Sequence, residues 1–287
     1  MSTSLDTSKI KALALDLDGT LLAPGAVLSE RTARVINACR EKGLQIIFAT
    51  GRAREAAEKF RIPLGAEGPM VYFNGAIVAD MPSGKTLHTC LMDKESVEFC
   101  IDLSRQLDIY YQVYFPGTAA RPESFLMAEK AGAQRDMYHN HTGILAELGD
   151  LKEALGKPGI TGVVKTMYLA EPEVLDSVLR PKLEDHFGKG PGSAVYMART
   201  LKTFLEVMNI TVSKGSGLSI ALNRLGIKSE EVIAFGDEEN DLPMFKIAGY
   251  SVAPANAKDA VKAAADLVIG TNAEDGVAVF LEEAFLR

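Results

Sequence analysis

Short apolar runs recur along this 287-residue chain, each followed at once by polar residues, with helical patterns between them. Ala12 to Leu17, Gln45 to Thr50, Met70 to Phe73, Phe204 to Val207 and Val232 to Gly236 are nearly continuous in apolar character. Strands buried on both faces of a parallel sheet read this way. Ser29-Glu30-Arg31-Thr32 caps a helical stretch that runs to Lys42-Gly43, and Lys214 opens another that ends at Leu225-Gly226; a glycine just past the last turn is a helix stop. Alternation of strand and helix predicts right-handed β-α-β units and an α/β fold built on a doubly wound parallel sheet.

The middle of the chain departs from that pattern. Ala76 to Ala79 and Lys85 to Cys90 flank Asp80-Met81-Pro82-Ser83-Gly84, which reads as a hairpin turn. Gly84-Lys85-Thr86 belongs to that hairpin rather than to a phosphate loop, since Ala79 stands where such a loop requires its first glycine. Helix-like Lys94 to Gln106, Ile144 to Leu155 and Pro172 to His186 then alternate with strand-like Ile109 to Tyr114, Val163 to Leu169 and Ala194 to Met197. His139-Asn140-His141 reads as a solvated loop, and Gly188 to Gly192 as a turn. The expectation is a second α/β module, residues 84–198, inserted into a core made of residues 1–83 and 199–287.

The chemistry lies where the strands end. Asp16-Leu17-Asp18-Gly19-Thr20 follows the first apolar run. Side chains two apart on an extended segment face the same way, so Asp16 and Asp18 can address one bound group, and Gly19 lets the chain turn sharply. Taken alone the pair could be an acidic turn. Thr50-Gly51-Arg52, Lys214 and Gly236-Asp237-Glu238-Glu239-Asn240-Asp241 follow in order, each at the carboxyl end of an expected strand or at the start of the helix beyond one. In open α/β sheets that edge is where ligands bind.

These four elements resemble the four motifs of the haloacid dehalogenase superfamily, and the long insert resembles the type IIB cap of its Cof-like sugar-phosphate phosphatases. Asn74-Gly75-Ala76, Asn256-Ala257 and Glu274-Asp275-Gly276-Val277-Ala278 also match the Cof-like pattern. Two segments differ from it: Met208 to Val212 carries no Pro or Gly before Lys214, and Val252 to Ala255 replaces a Met-Gly pair ahead of Asn256. The resemblance implies a Rossmann-like core with an inserted α/β cap, and a Mg2+-dependent phosphomonoester hydrolase acting on a small phosphorylated metabolite. A sugar phosphate comes first as substrate, and a phosphorylated cofactor such as pyridoxal phosphate or flavin mononucleotide next. It implies Asp16 as nucleophile and Asp18 as general acid and base. Thr50, Gly51, Arg52, Lys214 and Asn240 would hold the phosphorylated group, Lys214 also serving catalysis. Asp16, Asp18 through its main-chain carbonyl, and Asp237 would hold Mg2+. Asp241 resembles a residue that orients Lys214 and metal-bound water. The cap would close over the substrate, with Arg121, Arg135 and Lys165 as candidate contacts.

Composition narrows the alternatives. A formal net charge of −7 offers no basic footprint for nucleic acid. No apolar run approaches the roughly 18 residues that cross a bilayer, and Met1 to Ile10 is polar, so a cytoplasmic protein is expected. Cys39, Cys90 and Cys100 are odd in number and lack C-x-x-C spacing, against a disulfide framework or a zinc site. Two rivals remain at this level: a receiver-type signalling protein, which also clusters Asp, Thr and Lys at strand ends, and an inactive ligand-binding relative. Asp18 argues against the first, because a switch gains nothing from a base that speeds loss of its phosphate. Oligomeric state is open.

Overall fold

The computed structural model describes residues 5–118, 121 and 123–287. Its strands in chain order are β1 (Ala12–Leu15), β2 (Gln45–Phe48), β3 (Gly68–Tyr72), β4 (Ile77–Met81), β5 (Lys85–Thr89), β6 (Tyr110–Phe115), β7 (Phe125–Ala128), β8 (Glu147–Leu148), β9 (Lys165–Leu169), β10 (Val195–Leu201), β11 (Phe204–Asn209), β12 (Val232–Phe235), β13 (Tyr250–Pro254) and β14 (Leu267–Ile269). The chain divides into two compact units, one of residues 1–88 and 213–287 and the other of residues 89–212.

The first unit holds a five-stranded sheet in the order β14-β13-β12-β1-β2, parallel throughout. Strand residues alternate between its faces. On one face Ala12, Ala14, Ile47 and Ala234 pack with Leu218, Leu222, Met244 and Phe245 from helices. Phe235 points the other way, where its ring meets Phe280 edge-on at 5.8 Å. From β1 the chain moves outward to β2, then returns to lay β12 on the opposite flank of β1. That reversal between β1 and β12 is the switch point of a doubly wound sheet, where the two carboxyl ends frame a crevice.

One expected core strand is placed differently. Met70 to Phe73 yields β3, which pairs antiparallel with β4 in a three-stranded sheet β3-β4-β5 and touches the parallel sheet through a bridge from Val71 to Ala49. The hairpin between β4 and β5 is present, closed by the Gly84 N–H on the Asp80 carbonyl at 2.8 Å.

The second unit is a six-stranded sheet, order β10-β11-β9-β6-β7-β8, antiparallel except for the short β7/β8 pair. Cys100 and Ile101 of the helix Lys94–Leu107, with Leu151, Leu155 and Leu183, cover Tyr111, Val113, Tyr168, Leu205 and Val207 on one face. The insert expected over residues 84–198 is therefore shifted: β11, read as a core strand, pairs with β9 and β10 here, and β5 stays with the first unit. An apolar run records that a strand is buried and is silent on which sheet it joins. Ile144 to Leu155 is not one helix: β8 and the helix Leu151–Gly156 share it, separated where Asp150 accepts the Glu153 N–H as an N-cap. His139-Asn140-His141 lies in the helix Ala133–Thr142, which ends at left-handed Gly143. No helix among the described residues is long and apolar enough to cross a membrane.

Candidate active site

Asp16 leaves the end of β1 and is buried, 5% exposed. Its main-chain N–H still donates to the Phe235 carbonyl of β12, so the residue is fixed by the sheet itself. Lys214 is the first residue of the helix Lys214–Leu225, whose Ser213 N-cap accepts the Ser216 N–H while Ser216 returns a hydroxyl acceptor to Ser213. From that turn Nζ reaches Asp16 Oδ1 at 2.5 Å and Asp241 Oδ1 at 2.6 Å. The other oxygen of Asp241, Oδ2, accepts the N–H groups of Asp237 and Glu238 at 2.9 and 3.0 Å. Asp241 thus ties the loop after β12 to the ammonium. Asp237 accepts the Thr20 hydroxyl at 2.7 Å. Gly19, at φ +82°, leaves room for this, since a Cβ there would lie 2.2 Å from Asp237 Oδ2.

Asp16, Asp237 and Asp241 each bring a carboxylate oxygen within 4.8 Å of the others. Burial raises the pKa of Asp16 well above the ordinary carboxylate range; Lys214 opposes the rise, and Asp241 and Asp237 add to it. Burial also lifts Asp237 to about 6, against the Thr20 hydroxyl and with the help of the Asp241 charge. For Lys214 burial works in the lowering direction, and the carboxylates of Asp16 and Asp241 more than reverse it. Three buried carboxylates against one ammonium leave an acidic, all-oxygen donor set. That is the chemistry a hard divalent cation such as Mg2+ fits. Both Asp241 oxygens are already engaged, whereas Lys214 and Thr20 each take one oxygen of Asp16 and of Asp237, which leaves these two the better placed to ligate.

The remaining sequence candidates stand around this cluster. Thr50 is buried beyond β2; its hydroxyl accepts the Arg52 N–H at 3.1 Å and its carbonyl accepts the Asn74 N–H at 2.9 Å. Gly51 carries no Cβ, which would come within 3.1 Å of Asn74 Oδ1. Asn240 donates through Nδ2 to that same Asn74 oxygen at 2.9 Å. Asp18 is exposed, and Arg52 grips both its oxygens at 2.6 Å. Arg121 and Lys165 pair with Glu147 and Glu206, and Arg135 donates to the Ala146 carbonyl, all inside the second unit. Sequence reasoning left two residues without a role. Thr20 was visible as the last letter of the first motif. Asn74, at φ +57°, is buried and joins the second motif to the fourth; its Asn-Gly dipeptide was the available signal.

Comparison with known proteins now decides the family. Residues 13–281 match the family model of the haloacid dehalogenase-like hydrolases. The chain belongs to that family. Across 95% of its length it is 30% identical to the 5-amino-6-(5-phospho-D-ribitylamino)uracil phosphatase YitU of Bacillus subtilis, covering 97% of that protein. It is 28% identical to the pyridoxal phosphate phosphatase YbhA of Escherichia coli, over 94% of this chain and 97% of that one. A solved structure from Thermotoga maritima shares the fold with a TM-score of 0.81 at 30% identity, over 96% of this chain and 97% of the other. The chain is therefore a haloacid dehalogenase-like phosphatase, and the receiver-type alternative falls, because the matched family is one of hydrolases.

Proposed function

We propose that this phosphatase hydrolyses a small phosphorylated metabolite in the presence of Mg2+, through a phosphoryl group carried on Asp16. The observation that carries the reading is the buried set of Asp16, Asp237 and Asp241 around Lys214 at the switch point of the sheet. A carboxylate must approach a phosphate that is itself anionic, and buried negative charge resists this strongly. Asp16, Asp237 and the Asp18 main-chain carbonyl would hold a Mg2+ ion. When bound, the ion would neutralise negative charge between the carboxylates and the phosphoryl group.

In the first step an Asp16 oxygen bonds to phosphorus and the ester P–O bond breaks. The leaving oxygen keeps the electron pair and takes a proton from Asp18. In the second step water gives a proton to Asp18 as its oxygen bonds to phosphorus, the bond to Asp16 breaks, and inorganic phosphate and the Asp16 carboxylate result. Splitting one displacement into two is what a nucleophile and a shared acid/base achieve. Lys214 fixes the Asp16 carboxylate and places a positive charge beside the transferring group. Thr50 and Gly51 present a hydroxyl and an amide to the phosphoryl oxygens.

For the substrate we infer a sugar phosphate first and a phosphorylated cofactor second; the activities named for the YitU and YbhA relatives support a small phosphorylated metabolite. The 89–212 unit carries none of the four motifs, and we assign it the choice among substrates. The test is a panel of phosphorylated metabolites with released phosphate as readout, run with and without EDTA. Acid quench and mass spectrometry then locate the phosphoryl group. Turnover at full rate in EDTA overturns the metal assignment, and phosphate recovered on a residue other than Asp16 overturns the mechanism.

A further inference from the structure

Arg52 meets Asp18 edge to edge. Its Nε donates to Oδ2 and its Nη2 to Oδ1, both at 2.6 Å. Such a fork takes both oxygens of a carboxylate in one plane and sets its rotation as well as its distance. The two partners differ in freedom. The Arg52 side chain is 7% exposed and that of Asp18 49%. Arg52 is also held by its surroundings: the Phe60 ring centroid lies 5.1 Å from Cζ, its N–H donates to the Thr50 hydroxyl at 3.1 Å, and its carbonyl accepts the Phe73 N–H at 3.0 Å. A fixed cation therefore grips an exposed carboxylate.

The third nitrogen of the guanidinium adds an independent observation. Nη1 is buried and has no acceptor among the described residues. A buried charged donor without a partner is costly, more so than a neutral one. That cost is borne while the opposite edge holds Asp18, so the guanidinium is placed for the carboxylate rather than for its own satisfaction.

We propose that Arg52 is a positioning residue for Asp18: the Nε/Nη2 edge sets the rotation and the distance of the carboxylate that carries the proton. One rigid plane, itself held by Phe60 and the Thr50 hydroxyl, then fixes the proton carrier. The inference rests on the reading of Asp18 as the residue that protonates the leaving oxygen. Arg52 exchanges no proton in either step. Its effect is alignment, and alignment matters most where the leaving oxygen cannot depart without a proton. A lysine in its place keeps the charge and loses the planar fork.

The experiment compares Arg52→Lys and Arg52→Ala with the parent protein on an aryl phosphate and on a simple alkyl phosphate, with Mg2+ present and kcat and KM measured separately. On the alkyl phosphate kcat is expected to fall about 100-fold, the low end of what a positioned acid supplies. On the aryl phosphate the fall is expected to be roughly tenfold smaller, because that leaving group departs with little help. In an Asp18→Asn background, removing Arg52 should cost no further alkyl phosphate turnover. Thermal unfolding of each variant controls for folding, and Arg52→Lys carries the comparison if Arg52→Ala does not fold. Equal losses on both substrates, or losses that add to those of Asp18→Asn, overturn the role of Arg52 alone. Should Asp18→Asn itself treat the two substrates alike, the proton-carrier reading fails and this inference with it.

Discussion

Burial gives Asp237 a pH signature that can be read in solution. Burial lifts its pKa to about 6, whereas an unfolded aspartate titrates near 3.9. Between those values the folded chain binds a proton that the unfolded chain has released. Stability without a cation therefore falls as pH rises through that window. A bound divalent cation favours the ionised carboxylate and has no proton to displace once the pH exceeds the folded value. The rise in Tm produced by saturating Mg2+ is thus expected to be larger at pH 7.5 than at pH 5. Calorimetry at the two pH values, with EDTA as the reference, measures the difference. An equal rise at both would remove Asp237 from the metal site. Asp241 illustrates what a single residue does for the whole site, since it holds Lys214 with one oxygen and the two N–H groups after β12 with the other. Residue pattern alone showed Asp241 as one acid in an acidic run, and only the family resemblance linked it to Lys214. Its partner Lys214 lies 27 positions earlier, a separation that no local pattern spans.

The helix Lys214–Leu225 breaks a local rule at its first residue. A cation at a helix N-terminus opposes the macrodipole, and such violations belong at functional sites. Asp16 and Asp241 compensate by pairing with the ammonium, and Ser213 with Ser216 closes the first turn from outside. Ser213→Ala removes that closure. Its expected cost is about 1 kcal/mol of stability in urea unfolding, with a lower kcat because Lys214 loses its fixed origin. A stability loss with kcat unmoved would show that the turn is held without its cap. This helix was legible in the sequence to within a residue at both ends, because a lysine at its start and Leu225-Gly226 at its end bracket it. β1, β2 and β12 were legible as well: their starts matched, and their ends were read one or two residues into the motifs that follow. The strand β13 was not read as a strand, as its run carries Ser251 and closes on Pro254. Three-residue β14 is too short to show a period. The ion pair between Arg52 and Asp18 was open in the sequence, because a guanidinium 34 positions away serves substrate or carboxylate equally well until geometry decides.

At the scale of the whole molecule, the two units set where the chain can be cut. The ends of the 89–212 unit are joined within it: Asn209 donates to the Leu91 carbonyl at 2.9 Å, and the Cys90 sulfur lies 3.1 Å from the Thr211 hydroxyl. A short linker can therefore replace residues 90–211 without stretching the chain. Excision at 84–198 behaves differently. It deletes most or all of β5, β9 and β10 and keeps β11, whose Glu206 is buried on Lys165 at 2.5 Å with both side chains 3% exposed. Without β9 and most of β10, the apolar side chains of β11 that the intact unit buries, Phe204, Leu205, Val207 and Met208, face water. The exposed backbone of an unpaired strand also invites aggregation. The 90–211 excision is expected to yield a monodisperse protein with one cooperative urea transition, and the 84–198 excision an aggregate, as size-exclusion chromatography reads directly. The first protein should keep Mg2+-dependent hydrolysis of an aryl phosphate, because Asp16, Asp18, Thr50, Lys214, Asp237 and Asp241 all lie in the retained unit. Its preferences among phosphorylated metabolites should flatten, since binding energy from remote parts of a substrate needs residues to supply it. Selectivity resides in the core if the excised protein ranks those metabolites as the intact chain does.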